Sequence, residues 1–254
     1  MGGGGCVAPT FSLKMPQSSK WAGIMDFIFM LTRDDQTIED CLEVYDSVRE
    51  VPLQHVGFKD VGVAPDTLKR LRDRIKEDGR TSYMEVVSTS RDSCLRSAEV
   101  GAKLGIDCLL GGTQVDDILG LLRGTSTGYF PFPGLPVGHP TKLGGTADRI
   151  HDDTKAMVSA GCAGVDLLAY RATDASPLDL VRAARRATDK AVIVAGSINS
   201  PARIRDIAGA GADLFTIGTA ALDGSFSPRV GLLANQLRRI LAACAVPALR
   251  AHDT

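Results

Sequence analysis

Aromatic residues are scarce in this chain: Phe, Trp and Tyr make up 5% of its 254 residues, with a single Trp. No basic stripe interleaved with aromatics occurs, and 29 Lys and Arg face 30 Asp and Glu, so nothing points to a nucleic-acid partner. No apolar run approaches the roughly 18 residues a membrane-spanning helix needs. The six cysteines, at 6, 41, 94, 108, 162 and 244, form no CxxC and no metal-ligand spacing. Several lie in apolar runs, the pattern of reduced, buried thiols in a cytoplasmic protein. The opening MGGGGC lacks the apolar core of a signal peptide, and Cys6 stands where a myristoylation start has Ser or Thr. Residues 1–22 are expected to form a flexible leader and 23–254 one domain. A Ser–His–Asp array, HExxH, a Walker loop and a GxGxxG after the first strand are all missing. No metal or cofactor is called for.

What is present is alternation. Apolar runs at Asp26–Leu31, His55–Lys59, Tyr83–Val87, Cys108–Leu110, Gly128–Pro131, Val165–Tyr170, Val192–Val194 and Leu214–Ile217 read as strands. Amphipathic stretches between them read as helices: Thr37–Val48, Pro65–Glu77, Ser90 or Asp92 to Gly105, a helix through Leu122, Ala147–Ala160, Pro177–Thr188, Pro201–Ala208 and Pro228–Ala243. Eight strand–helix units in a chain of this length predict an α/β single-domain (β/α)8 TIM barrel. The Pro- and Gly-rich segment Phe132–Gly145 is the longest irregular stretch and is expected to act as a lid.

The last two units carry the strongest signal. AVIVAGSINSPARIRDIAGAGADLFTIGTAALDG (191–224) contains two buried strands, each ending in a small residue just before a helix start: Gly196-Ser197 and Gly218-Thr219. Free backbone amides and a positive helix end there favour an anion. These residues resemble the phosphate-gripping seventh and eighth units of the phosphate-binding TIM barrels. That group includes the histidine- and tryptophan-pathway isomerases and synthases, N-acetylmannosamine-6-phosphate epimerase and the ribulose-phosphate-binding enzymes. The resemblance implies a small phosphorylated substrate held by Gly196, Ser197, Gly218 and Thr219. GIDCLLGGT (105–113) echoes GADLFTIGT (211–219), similar to the half-barrel duplication of the phosphoribosyl isomerases, and so implies a second phosphate site at Gly112 and Thr113. Asp107, Asp166 and Asp213 each follow a glycine by two residues. They are expected at strand starts, at the bottom of the barrel, with structural roles.

Chemistry in this fold comes from the C-terminal ends of strands. In HVGFKD, side-chain alternation sets Val56 and Phe58 against the helices and turns His55, Gly57 and Lys59 inward. Glu85, on the neighbouring strand, is costly to bury facing helices, so it should face the interior and need a cation. Lys59 and Glu85 are the candidate catalytic pair, moving protons next to a carbonyl or anchoring an imine; the alternative is a structural ion pair. The lysine-bearing strand is reminiscent of orotidine- and ketogulonate-phosphate decarboxylases, but their D-x-K-x-x-D pattern is absent. Arg33, Asp34 and Arg171 sit on the top rim, where either arginine can bind a substrate carboxylate or a second phosphate, or is a solvated loop charge. His139 is a lone loop histidine. The resemblance implies an isomerase or epimerase of a phosphorylated sugar or keto acid. The alternatives are a Schiff-base lyase and a barrel that binds phosphate ligand or FMN without turnover. A homo-oligomer is left open.

Overall fold

The computed structural model describes residues 25–245 apart from 87, 89, 139 and 140. The expected leader, Cys6 and His139 lie outside the described residues. Eight strands form one parallel sheet: β1 (Asp26–Met30), β2 (His55–Lys59), β3 (Thr81–Glu85), β4 (Cys108–Leu110), β5 (Gly128–Phe130), β6 (Gly164–Leu167), β7 (Ala191–Val194) and β8 (Leu214–Ile217). Their order is β6-β7-β8-β1-β2-β3-β4-β5. The two ends of the sheet meet through the Ala163 amide donating to the Tyr129 carbonyl and the Asp166 amide to the Pro131 carbonyl, both at 2.9 Å. The ring is a barrel.

Around it run α1 (Cys41–Ser47), α2 (Pro65–Glu77), α3 (Arg91–Leu104), α4 (Val115–Leu121), α5 (Ala147–Ser159), α6 (Pro177–Ala187), α7 (Pro201–Ala210), the single turn α8 (Thr219–Leu222) and α9 (Leu233–Cys244). Local chemistry sets their ends. Ser200 caps α7 by accepting from the Arg203 amide, with Pro201 in the first turn. Gly211, at φ 100°, closes that helix in the left-handed conformation.

Strand alternation divides the interior in two. Phe27, Phe29, Val56 and Phe58 face the helices, within one large apolar shell. Ile28, Met30, Tyr83, Cys108, Leu110 and Phe130 fill the barrel itself, with Ile193 and Leu214. Gly57 has no side chain because Met30 occupies that space: a Cβ there would collide with the Met30 sulfur. The five described cysteines are buried and unpaired, and no helix among the described residues is long and apolar enough to cross a membrane.

Two hairpins depart from the expected pattern. Thr32–Arg33 pairs with Gln36–Thr37 across Asp34 and Asp35, so α1 starts at Cys41 rather than Thr37. Both central residues have positive φ, 51° and 59°, as a two-residue turn matched to strand twist requires. The second hairpin, Leu135–Val137 with Lys142–Gly144, lies in the segment expected to be irregular. Its base is fixed. Leu143 is fully buried, and the amides of Gly134 and Gly145 donate to Asp153 and Asp174, each at 3.0 Å.

Candidate active site

A cavity of about 480 Å³ opens at the C-terminal ends of the strands. Lys59 and Glu85, the last residues of β2 and β3, lie directly opposite each other in the strand register. The Lys59 ammonium is 3.4 Å from a Glu85 carboxylate oxygen and is almost wholly buried. A second carboxylate, unforeseen in the sequence, comes from the first hairpin: Lys59 Nζ donates to Asp35 Oδ1 at 2.7 Å. Thr37 locks that hairpin to β2. Its hydroxyl donates to the Lys59 carbonyl at 2.7 Å and accepts from the Lys59 amide at 2.9 Å. Burial alone would lower the Lys59 pKa. The charges of Glu85 and Asp35 outweigh it and hold the amine above its ordinary value, as ammonium.

The same cavity is lined by Gly196, Ser197, Gly218 and Thr219, together with Arg171 and Arg203. Gly196 and Ser197 are both left-handed, at φ 79° and 61°; for Ser197 this is uncommon, and it turns the chain sharply at the end of β7. Arg203 donates to the Ser197 carbonyl, and its guanidinium stacks on Tyr170 at 4.5 Å. Arg171 crosses Gly196 so closely that a Cβ there would lie 2.6 Å from its Nε. Among the described residues Arg171 has no carboxylate within ion-pair distance; its guanidinium donates to the Thr141 carbonyl at 3.5 Å. A cation without a counter-ion, beside an open turn, is suited to an anion. Gly218 is demanded by packing. A Cβ there would lie 2.9 Å from the carbonyl oxygens of both Met30 and Thr32.

Gly112 and Thr113 are not part of this cavity. Phe132 lies over the end of β4, 2.8 Å from where a Gly111 Cβ would be, and Gly112 is enclosed by Ile118, Tyr129 and Cys94. The helix that follows carries Asp116 and Asp117 in its first turn, negative charge where an anion would otherwise be welcomed. The sequence echo is real, but the structure brings only its second copy to the cleft.

The three aspartates also part company. Asp107 and Asp213 precede β4 and β8. The first accepts from the Ser82 amide at 2.9 Å and the second from the Val192 amide at 2.8 Å. Asp166 differs, and the expectation that it sits at a strand start is corrected. It is the third residue of β6, fully buried, paired in register with the inward-facing Ile193. The helix-closing glycines explain the error. Gly105, Gly161 and Gly211 all have positive φ, and the residue after each bonds back into its helix in the same way. Counted from Gly161, the counterpart of Asp107 and Asp213 is Ala163, so Asp166 stands three residues higher. Neither of its oxygens has a hydrogen-bond partner among the described residues. Burial, then the Glu85 charge, push its pKa well above the carboxylate range against the pull of Lys59 and Arg171.

With the geometry in hand, comparison with known proteins is informative about architecture. No protein family and no curated protein sequence matches the chain. Solved structures do. The native KDPGal structure is similar with a TM-score of 0.59 at 12% identity, over 92% of this chain and 94% of that one. Thiamine phosphate pyrophosphorylase from Pyrococcus furiosus gives 0.57 at 12% identity, over 89% and 99%. The chain has the TIM-barrel fold. The Amycolatopsis orientalis BexX/CysO complex gives 0.57 at 19% identity, over 87% and 88%. Identities this low speak for the barrel alone.

Proposed function

We propose that this barrel catalyses isomerisation or epimerisation of a small phosphorylated carbonyl compound by moving a proton at the carbon next to the carbonyl. One observation carries the reading: the Lys59 ammonium, clamped between Asp35 and Glu85, faces the same cavity as the Gly196–Ser197 turn and Arg171. The phosphate would be held by Arg171 and the amides near Ser197 and Thr219. Glu85, as carboxylate, would take the proton from carbon. The electron pair moves onto the carbonyl oxygen, and the Lys59 ammonium stabilises the charge that develops there. Return of the proton from Glu85 to the neighbouring carbon, as the hydroxyl proton passes to the former carbonyl oxygen, gives the isomer; the epimer forms where a second acid, such as water in the cleft, delivers a proton to the other face.

The charge state of Lys59 favours this over imine chemistry, because an amine attacks a carbonyl only after losing its proton. The name of one structural neighbour, thiamine phosphate pyrophosphorylase, includes a phosphorylated compound, which is consistent with a phosphate-holding barrel.

The test is incubation with a panel of aldose phosphates, ketose phosphates and phosphorylated keto acids in D2O. Deuterium should enter the carbon beside the carbonyl in at least one compound, and borohydride should trap nothing on Lys59. A permanent mass gain at Lys59 after borohydride would replace this reading with a Schiff-base lyase. Loss of that activity in Arg171→Gln, with affinity for inorganic phosphate falling alongside, would support the assignment of the anion site.

A further inference from the structure

Asp166 has no role in the scheme above, yet its position is costly. A carboxyl that is fully buried with neither oxygen hydrogen-bonded forfeits its solvation and gains nothing local in return. It occurs on β6, on the inward face, across the barrel from β2 and β3, which carry Lys59 and Glu85. An ordinary barrel interior holds branched apolar side chains at such a position, and Ile193 beside it does so. The groups whose charge reaches Asp166 are Glu85 from β3, Lys59 from β2 and Arg171 from the turn after β6. These are the same three groups to which the proposed reaction assigns base, oxyanion partner and phosphate ligand.

We propose that Asp166 is a positioning residue for the cleft above it, governing through its own charge whether the Lys59 ammonium faces a ligand oxygen or is held down by a third carboxylate. The inference rests on the enolisation reading for its catalytic consequence, though not for the coupling itself. With its proton on, Asp166 is a neutral group beneath the pair. The Lys59 ammonium then faces two carboxylates rather than three, and a developing oxyanion competes for it with Asp35 and Glu85 alone. With its proton off, a third negative charge joins the cluster, repelling both the oxyanion and the phosphate. Burial without a hydrogen bond to either oxygen favours the protonated form. The site therefore works in one protonation state of a residue that never touches the substrate.

The experiment uses the full chain with 13C-carboxyl-labelled aspartate and 15Nζ-labelled lysine, with signals assigned from Asp166→Asn and Lys59→Met. In the wild type the Asp166 carboxyl should show the shift of a neutral acid at neutral pH, and the Lys59 Nζ signal should move as Asp166 ionises. In Asp166→Asn that movement should vanish. A carboxyl already ionised at neutral pH, or a Lys59 signal indifferent to the substitution, would overturn the proposal. Wild-type spectra alone decide the first point, so failure of the variant to fold would not rescue it.

A second arm measures, by calorimetry, affinity for phosphoglycolohydroxamate, a phosphorylated mimic of an enediolate, relative to inorganic phosphate across neutral to alkaline pH. The ratio should fall on the order of tenfold as Asp166 ionises in the wild type and stay level in Asp166→Asn. A ratio with the same pH profile in both proteins would count against the proposal. If the mimic binds no better than phosphate at any pH, the enolisation reading fails, while the spectra still decide whether Asp166 governs Lys59.

Discussion

Lys59 is held by two carboxylates of different origin, and that difference makes its role measurable. Glu85 comes from the adjacent strand at 3.4 Å, Asp35 from the hairpin above at 2.7 Å. Glu85→Gln therefore leaves the ammonium with a partner, and stability should change little. If Glu85 is the base, turnover of the compound that exchanges deuterium should fall by roughly 10²–10⁴. Lys59→Met removes the ammonium from between Asp35 and Glu85, so it should lose both activity and stability, the latter by about 3–5 kcal/mol. Full turnover in the folded fraction of Glu85→Gln would reduce the pair to scaffolding. Melting curves and rates on the same two proteins separate the cases. Both residues were legible in the sequence because a two-residue period fixes which side chains point inward, and because Glu85 is too polar to face helices. The sequence pattern misplaces Asp166 because Gly164, which lies two residues before it, is not the helix-closing glycine; that is Gly161. Asp35 and Arg203 were missed for another reason. They reach the cleft through a left-handed turn and an arginine that bonds a loop carbonyl, and neither leaves a periodic trace.

The same contrast holds among the elements. Each barrel strand announced itself through apolar residues bounded by Gly, Ser or Asp, and four helices, α2, α3, α6 and α7, through a Pro or Ser at their start. The hairpins did not, since strands of two or three residues are too short for alternation to register. The Thr32–Thr37 hairpin matters most, because it delivers Asp35. Its attachment is narrow: the Thr37 hydroxyl bonded twice to the Lys59 backbone, and the Thr37 amide donating to the Val61 carbonyl at 2.9 Å. Gly62, at φ 102°, permits this approach, since a Cβ would press on the Thr37 backbone. Thr37→Val keeps the shape and deletes the hydroxyl bonds. It should cost about 1–3 kcal/mol for the buried backbone groups left unpaired, readable as a lower denaturant midpoint at unchanged slope. With Asp35 less firmly placed, the Lys59 pKa should also fall, seen as an Nζ titration at lower pH. An unchanged midpoint and titration would mean that the hairpin is held by something other than Thr37. The base of the second hairpin is tied to Asp153, Asp174 and the buried Leu143.

At the scale of the whole molecule, two buried groups on opposite sides of the barrel act on stability with opposite sign. His55 lies inside the barrel between Tyr83, 3.1 Å from its Nδ1, and Asp26, 3.5 Å from its Nε2. Burial lowers its pKa despite the opposing pull of Asp26, so the native protein carries it neutral. Below the unfolded value near 6.5 the unfolded chain binds a proton that the native chain refuses. Stability therefore drops as pH falls from there towards the folded pKa. Asp166 is the reverse. Its folded pKa is raised, so above the unfolded value near 3.9 the native chain keeps a proton that the unfolded chain has released. Stability drops as pH rises, by up to ~1.4 kcal/mol per pH unit. Where both windows overlap the two slopes cancel, and the wild-type curve should be nearly flat. Above about 6.5 the histidine adds no further slope, and stability should decline with rising pH while Asp166 keeps its proton, a decline to which the raised Asp213 carboxyl and the buried thiols add. Asp166→Asn should unmask the histidine, giving stability that rises more steeply up to about 6.5 and declines less above it than in the wild type. His55→Gln should do the opposite, with decline across the whole range. Denaturant unfolding of the three proteins at several pH values checks this. Parallel curves would mean that neither group titrates between the folded and unfolded chains as its burial demands. If Asp166→Asn proves the more stable protein at alkaline pH, the wild type retains a destabilising carboxyl inside its barrel, and the cleft above it is where that cost is put to use.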